Sequence, residues 1–157
     1  MEAKFLTGGD ESLYVQLGDE ISLEVNGKVK SLMQKLEADP VDGIAEMVPT
    51  YATLMIHYKP EKILYGQLVE EVKKRLDAGG EEKEEVSQIV KVLPICYDKE
   101  FAWDLEECAS FEKVSVEEFI RMHSEHEYYV YMLGFAPGHP YMARFEEPFS
   151  FKRRETP

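Results

Sequence analysis

Twice in its first half the chain runs through two short alternating segments and then a long stretch whose apolar residues recur every three or four positions. A strand pair followed by an amphipathic helix has an economical solution, in which the helix lays its apolar stripe on one face of the sheet. In the first round, residues 4–7 lead into the turn Gly8-Gly9-Asp10, after which Leu13, Val15 and Leu17 alternate as in a half-buried strand. The next stretch carries two signals. Ile21, Leu23 and Val25 alternate and Asn26-Gly27 is a strong hairpin dipeptide, yet Ile21, Val25, Val29, Leu32, Met33 and Leu36 share one helical face. The helical spacing persists while alternation fails at Ser31, so it predicts a helix over 19–38, with Gly27 costing about 1 kcal/mol relative to alanine and Asp39-Pro40 ending it.

The second round is clearer. Residues 44–48 and 52–58 form a strand pair around Pro49-Thr50, and residues 61–78 form a helix with the stripe Leu64, Leu68, Val69, Val72, Leu76. Glu70 with Lys74 and Glu71 with Arg75 are favourably oriented i,i+4 pairs, worth about 0.2–0.5 kcal/mol each, and Gly79-Gly80 supplies a left-handed stop. Beyond the charged connector at 81–85, read as a solvated loop, a strand is expected over 87–95. Asp104 caps a short helix through Ala109. Ser115 with Glu118 forms a capping box, with Val114 stapling against Phe119, for a helix to about His123. The aromatic run at 127–133 reads as a final strand. The expected fold is α+β: split ββα-ββα units whose mixed or antiparallel sheet is covered on one face by the two long helices.

The charge balance narrows the partners. Eighteen basic residues face thirty-one acidic ones, a net of -13, which opposes phosphate-backbone binding and acidic membrane surfaces; the local cluster Lys152-Arg153-Arg154 runs against the trend. No run approaches the ~18 apolar residues of a membrane span, and the start MEAKFLTGGDE lacks the basic and apolar regions of a signal peptide. Two cysteines, Cys96 and Cys108, make no disulfide framework. A cytoplasmic location is expected.

Several chemical motifs can be weighed. His123 and His126 lie about one turn apart but lack the HExxH order and a cysteine ligand, and a helix end running into a strand accounts for them, so no metal site is expected. His57, flanked by apolar residues, reads as a packed or edge histidine. No GxSxG elbow occurs, so an α/β-hydrolase serine is unsupported, and no GxxxxGK[ST] loop occurs, so a conventional ATP cradle is absent. Cys108 beside Glu106 and Glu107 is poorly placed to ionise.

Residues 134–142, GFAPGHPYM, stand apart. Two glycines and two prolines cannot form a helix or a central strand. Pro137 and Pro140 fix their own φ and restrict Ala136 and His139, while Gly134 and Gly138 permit positive φ. A stiff loop presenting Phe135, His139 and Tyr141 follows, built either to bind with little entropy loss or merely to redirect the chain.

This segment is similar to the GF-x-PG-aromatic-PY-aliphatic signature of the KipI / allophanate hydrolase subunit 1 family, which includes the B subunit of 5-oxoprolinase. The resemblance extends to Gly9-Asp10, Gly18-Asp19-Glu20-Ile21, Tyr51-Ala-Thr-Leu54, Tyr58-Lys-Pro60, Pro94-Ile-Cys-Tyr97, Asp104-Leu-Glu-Glu107 and the Arg-containing end from Phe151 to Pro157. Two departures are His139, where the family has an aromatic residue more often, and Ala143-Arg144-Phe145 in place of a glycine-rich continuation. The resemblance implies an amino-terminal domain over 1–142, then a linker over 143–157 toward a cyclophilin-like domain. It also implies a subunit of an ATP-dependent 5-oxoprolinase or allophanate-hydrolase-like amide-cleaving complex, inactive alone, with ATP at the level of the complex and the A and C subunits of 5-oxoprolinase as partners. The alternative it implies is a regulator that inhibits a sensor histidine kinase. The implied site joins Gly134, Phe135, Pro137, Gly138, Pro140 and Tyr141 to an acid/base His139, with Arg144, Arg153 and Arg154 as carboxylate or phosphate binders.

Overall fold

The alternation read in the two strand pairs becomes a four-stranded antiparallel sheet. In a computed structural model, which describes residues 2–78 and 89–142, β1 (Lys4–Thr7), β2 (Ser12–Gln16), β3 (Ile44–Pro49) and β4 (Thr53–Tyr58) lie in the order β1-β2-β4-β3. The register sets Leu13 against Ile56 and Val15 against Leu54, all four fully buried on one face. Against that face pack Val29, Leu32 and Leu36 of helix α1 (Leu23–Ala38) and Leu68, Val69 and Val72 of helix α2 (Tyr65–Asp77). Burying such a side chain is worth about 1.5–3 kcal/mol, so this single layer contact dominates the unit. Both long helices cover one face of an antiparallel sheet, as the pattern predicts.

The helix starts differ from the expected ones. Helix α1 begins at Leu23, because the Ser22 Oγ accepts a hydrogen bond from the Val25 amide at 3.2 Å and so caps it; Ile21 is left half-exposed outside. Helix α2 begins at Tyr65, where the Gln67 Oε1 accepts from the Leu64 amide at 3.1 Å. Glu70 pairs with Lys73 and Lys74 with Glu71, so only the Glu71–Arg75 pair forms at the expected spacing.

Arg75 does more than pair. Its guanidinium donates to the Asp39 carbonyl from Nη2 at 2.9 Å and from Nε at 3.1 Å, and to Asp39 Oδ2 at 2.7 Å. Lys35 reciprocates, donating to the carbonyls of Arg75 at 3.1 Å and Ala78 at 2.9 Å. The carboxyl ends of α1 and α2 thereby cap one another.

Contacts group the described residues into two compact units, residues 2–78 with 130–141, and residues 89–129 with 142. In the second, helices α3 (Leu105–Phe111) and α4 (Val116–Glu125) pack through buried Ala109 and Phe119. The Ser115 Oγ accepts from the Glu118 amide at 3.1 Å, as the capping box predicts. What stops α3 is Lys113, held at φ 58°, with the Val114 amide bonded to the Ala109 carbonyl and the Lys113 amide to that of Ser110. This is the double bond of a Schellman turn, with lysine where glycine is usual. The strand expected over 87–95 does not form in its described part, residues 89–95. A strand needs a neighbour to take its amides, and here Ile89, Val92 and Leu93 remain exposed.

Strand β5 (Val130–Leu133) and strand β6 (Pro140–Met142) form a separate hairpin. The expected boundary after Met142 falls at the edge of the described residues, and 143–157 lie outside them, as do 79–88 with the charged connector and the Gly79-Gly80 stop. Among the described residues no helix is long and apolar enough to cross a membrane.

Within the second unit, His123 on α4 is ringed by aromatics. Its Nδ1 meets the Tyr97 hydroxyl at 2.5 Å, its ring stacks on Phe119 at 6.4 Å and 4°, and the Tyr128 hydroxyl donates to its carbonyl at 2.8 Å. Burial holds its imidazole below the ordinary histidine value of 6.5.

Two outcomes follow. Replacing Arg75 with methionine removes the shared cap while keeping the stem's packing, and is expected to cost about 1–3 kcal/mol in a urea unfolding series; an unchanged midpoint would refute the cap. The neutral form of His123 is the one the fold favours, so its contribution is complete above pH 6.5 and lost as pH falls below it. The wild-type melting temperature should drop more between pH 7.5 and pH 5 than that of His123→Gln; equal drops would rule the histidine out.

Candidate functional site

The glycine- and proline-rich segment forms the connection between β5 and β6. The Gly134 amide bonds to the His139 carbonyl at 3.2 Å and the His139 amide to the Ala136 carbonyl at 3.0 Å, closing a tight loop at the head of the hairpin. Gly138 adopts positive φ, 76°, as its type allows. Gly134 does not; its neighbour Phe135 takes φ 63° instead. Gly134 serves close approach, since a Cβ there would lie 3.3 Å from the Tyr141 ring and 3.4 Å from the Met132 methyl. A left-handed conformation costs an L-residue roughly 1–2 kcal/mol, and here a bulky side chain bears it while standing 92% exposed.

From that tip a ladder of rings descends into the fold. Phe135 meets His139 edge-on at 5.7 Å, His139 meets Tyr141 at 5.3 Å, Tyr141 meets Tyr51 at 6.4 Å, and Tyr51 meets Tyr131 at 5.3 Å. Burial grows along the way: Phe135 and His139 are exposed, Tyr141 and Tyr51 half-buried, Tyr131 buried. Burial, and then the neighbouring hydroxyls of Tyr141 and Tyr131, raise the Tyr51 phenol above its usual range. At the base, Asn26 of α1 is fully buried and its Nδ2 reaches the carbonyls of Thr50 at 3.0 Å, Tyr51 at 3.3 Å and Tyr131 at 3.4 Å.

The structure therefore brings Gly134, Phe135, Pro137, Gly138, His139, Pro140 and Tyr141 together on one hairpin. Arg144, Arg153 and Arg154 lie outside the described residues. Reading the sequence missed Asn26, Tyr51 and Tyr131 as members of the same cluster. The one available signal was Asn26-Gly27, a helix-disfavoured pair inside a helical pattern, which marks a position kept for something other than helix formation.

As chemistry, the cluster is incomplete. No hydrogen bond or ion pair engages the His139 imidazole among the described residues, whereas a general base needs a group to orient it. Among the described residues no three His, Cys, Asp or Glu side chains converge for a metal, and the His123 environment is aromatic. Ser12 Oγ lies 2.9 Å from His57 Nδ1, with Glu46 opposite His57 in the register. Yet Ser12 is only 6% exposed between β1 and β4, so the contact reads as a cross-strand lock rather than a nucleophile. Cys96 and Cys108 form no disulfide.

Comparison with known proteins places this arrangement. Residues 3–157 match the family model described as carboxyltransferase domain, subdomain C and D. The chain is 33% identical over 159 residues to the B subunit of 5-oxoprolinase from Bacillus subtilis, covering 95% of this chain and 66% of that protein. A crystal structure of TTHA0988 superposes with a TM-score of 0.67 at 31% identity, over 87% of this chain and 26% of that one. The urea carboxylase of Kluyveromyces lactis shares the fold, with a TM-score of 0.60 at 16% identity over 84% of this chain and 14% of that one. The chain thus spans 66% of the length of its Bacillus relative. With the match running through the ββα units and the GFAPGHPYM hairpin alike, the chain belongs to the carboxyltransferase-domain family, subdomains C and D, and within it is kin to the B subunit of 5-oxoprolinase.

Proposed function

We propose that this chain is a subunit of an ATP-dependent amide-cleaving complex of the 5-oxoprolinase or allophanate-hydrolase type, and that it is inactive alone. The observation that carries this reading is the ring ladder. It holds Phe135 out at 92% exposure on a left-handed backbone and leaves the His139 imidazole beside it without a hydrogen bond or ion pair among the described residues. Backbone strain of this kind persists where the surroundings impose it, and it gathers at functional sites. A half-site completed by another chain accounts for both the strain and the unoriented histidine.

In this reading Phe135 is the apolar anchor for a partner resembling the A or C subunit of 5-oxoprolinase, and His139 becomes an acid/base or hydrogen-bonding group once the partner orients it. Arg144, Arg153 and Arg154 would hold a carboxylate or phosphate, and the ATP site would belong to the complex. The name borne by the Bacillus relative supports this assignment.

Reconstitution with the products of the neighbouring genes tests it, reading 5-oxoproline-dependent ATP hydrolysis. His139→Ala should fold normally and lower the rate of the complex by about 10²-fold or more if the imidazole moves a proton. Asparagine tolerates left-handed backbone better than phenylalanine. Phe135→Asn should therefore melt at the same or a higher temperature while losing affinity for the partner. A complex that turns over equally well without this chain would sink the proposal. Capture of a sensor histidine kinase from native extract, in place of amidase components, would replace it with the kinase-inhibitor reading.

A further inference from the structure

We infer that Asn26 is the positioning residue of the loop, a latch that sets where the ring ladder stands; this rests on the half-site reading above. Asparagine and glycine are both poor helix formers, costing together more than about 1 kcal/mol relative to alanine. Yet Asn26-Gly27 occupies the second turn of α1. Gly27 has open space around it, so steric need does not explain the pair. Asn26 is 0% exposed, on the side of α1 that faces away from water.

Its amide meets backbone from two distant stretches. Thr50 and Tyr51 lie in the connection between β3 and β4, a turn already closed by the Thr50 amide and hydroxyl, which both donate to the Thr53 carbonyl. Tyr131 lies on β5, 105 residues from Asn26 in sequence. The chain leaves this unit after α2 and returns only at Val130. The two N–H groups of one amide are thus shared among three carbonyls, and they tie the returning strand to the β3–β4 turn. Tyr51 and Tyr131, whose carbonyls are held, are the same residues whose rings form the base of the ladder. The amide fixes the backbone on both sides of that base, and through Tyr141 and His139 the geometry is passed to Phe135.

A buried amide serving only stability would lower the melting temperature and change nothing else. A positioning residue also loosens one element selectively. Asn26→Asp keeps the shape but as a carboxylate has no N–H to donate, and Asn26→Leu keeps the approximate volume with no polar atom. In the full chain, either variant should raise amide hydrogen exchange in β5 and β6 while Leu54 and Ile56 in β4 keep their protection. It should also return the Tyr51 phenol toward its ordinary range in an absorbance titration. Affinity for the partner chains should fall on the order of tenfold or more, the scale of a small misplacement at a reacting site. Unchanged hairpin exchange and tyrosine titration would overturn the latch, and so would a loosened hairpin with undiminished partner affinity. Should both variants fail to fold, wild-type native-state exchange decides. A hairpin that opens below the global unfolding free energy upholds the latch, and one that exchanges only with β4 makes Asn26 a core residue and ends the proposal. The exchange and titration readings need no partner, so they fail independently of the proposed function.

Discussion

The central pairing of β2 with β4 decides most of what surrounds it. Its register puts Leu13, Val15, Leu54 and Ile56 on one face, and a slip of one residue would turn all four to the other side. Once that face is apolar, α1 and α2 have a surface to cover, and their stripes of Val29, Leu32, Leu36 and Leu68, Val69, Val72 meet it. With both helices on the same side, their carboxyl ends come close enough for Arg75 and Lys35 to cap across the gap. The same sheet fixes the β3–β4 turn, and with it the carbonyls of Thr50 and Tyr51 that Asn26 holds.

Much of this architecture was legible in the sequence, because it is written in local periodicity. The two-residue period of Leu13, Val15 and Leu17 and the helical period of Leu68 to Leu76 each imply one buried face, whereas Leu64, the first residue of the expected stripe, stands exposed ahead of the helix. The competition at residues 21–27 was settled correctly for the same reason: the helical spacing runs on to Leu36, while the Asn-Gly hairpin signal rests on two residues. Errors arose where periodicity does not decide. Helix starts shifted by about four residues because Ser22 and Gln67 set them by hydrogen bonds to backbone amides. The apolar run at 89–95 has strand composition but pairs with no strand among the described residues, and a strand is a property of a pair.

The site was legible in part. Proline and glycine chemistry announces a stiff loop at 134–142; the structure has a loop at 134–139, pinned by backbone bonds between Gly134, Ala136 and His139, while Pro140–Met142 pair as β6. What the spacing could not convey is that Tyr51 and Asn26 belong to it, since they meet the hairpin across 80 to 105 positions of sequence. Nor could it convey that Phe135, rather than Gly134, takes the left-handed backbone. Glycine content says where such a conformation is cheap, while Gly134 is instead used where the Tyr141 ring comes close to its backbone.

Magnitudes explain why such a tip needs a latched base. An edge-to-face ring contact contributes about 0.5–1.5 kcal/mol when packed, and the upper contacts, Phe135–His139 and His139–Tyr141, are open to water and sit at the low end of that range. They roughly offset the 1–2 kcal/mol of left-handed strain at Phe135 and leave little to hold the tip by itself. Rigidity therefore has to come from below, where Tyr131 is buried and three carbonyls converge on one amide. A loop balanced in this way keeps the Phe135 ring exposed among the described residues, and it is the bonded backbone at the base that limits how far the tip can move.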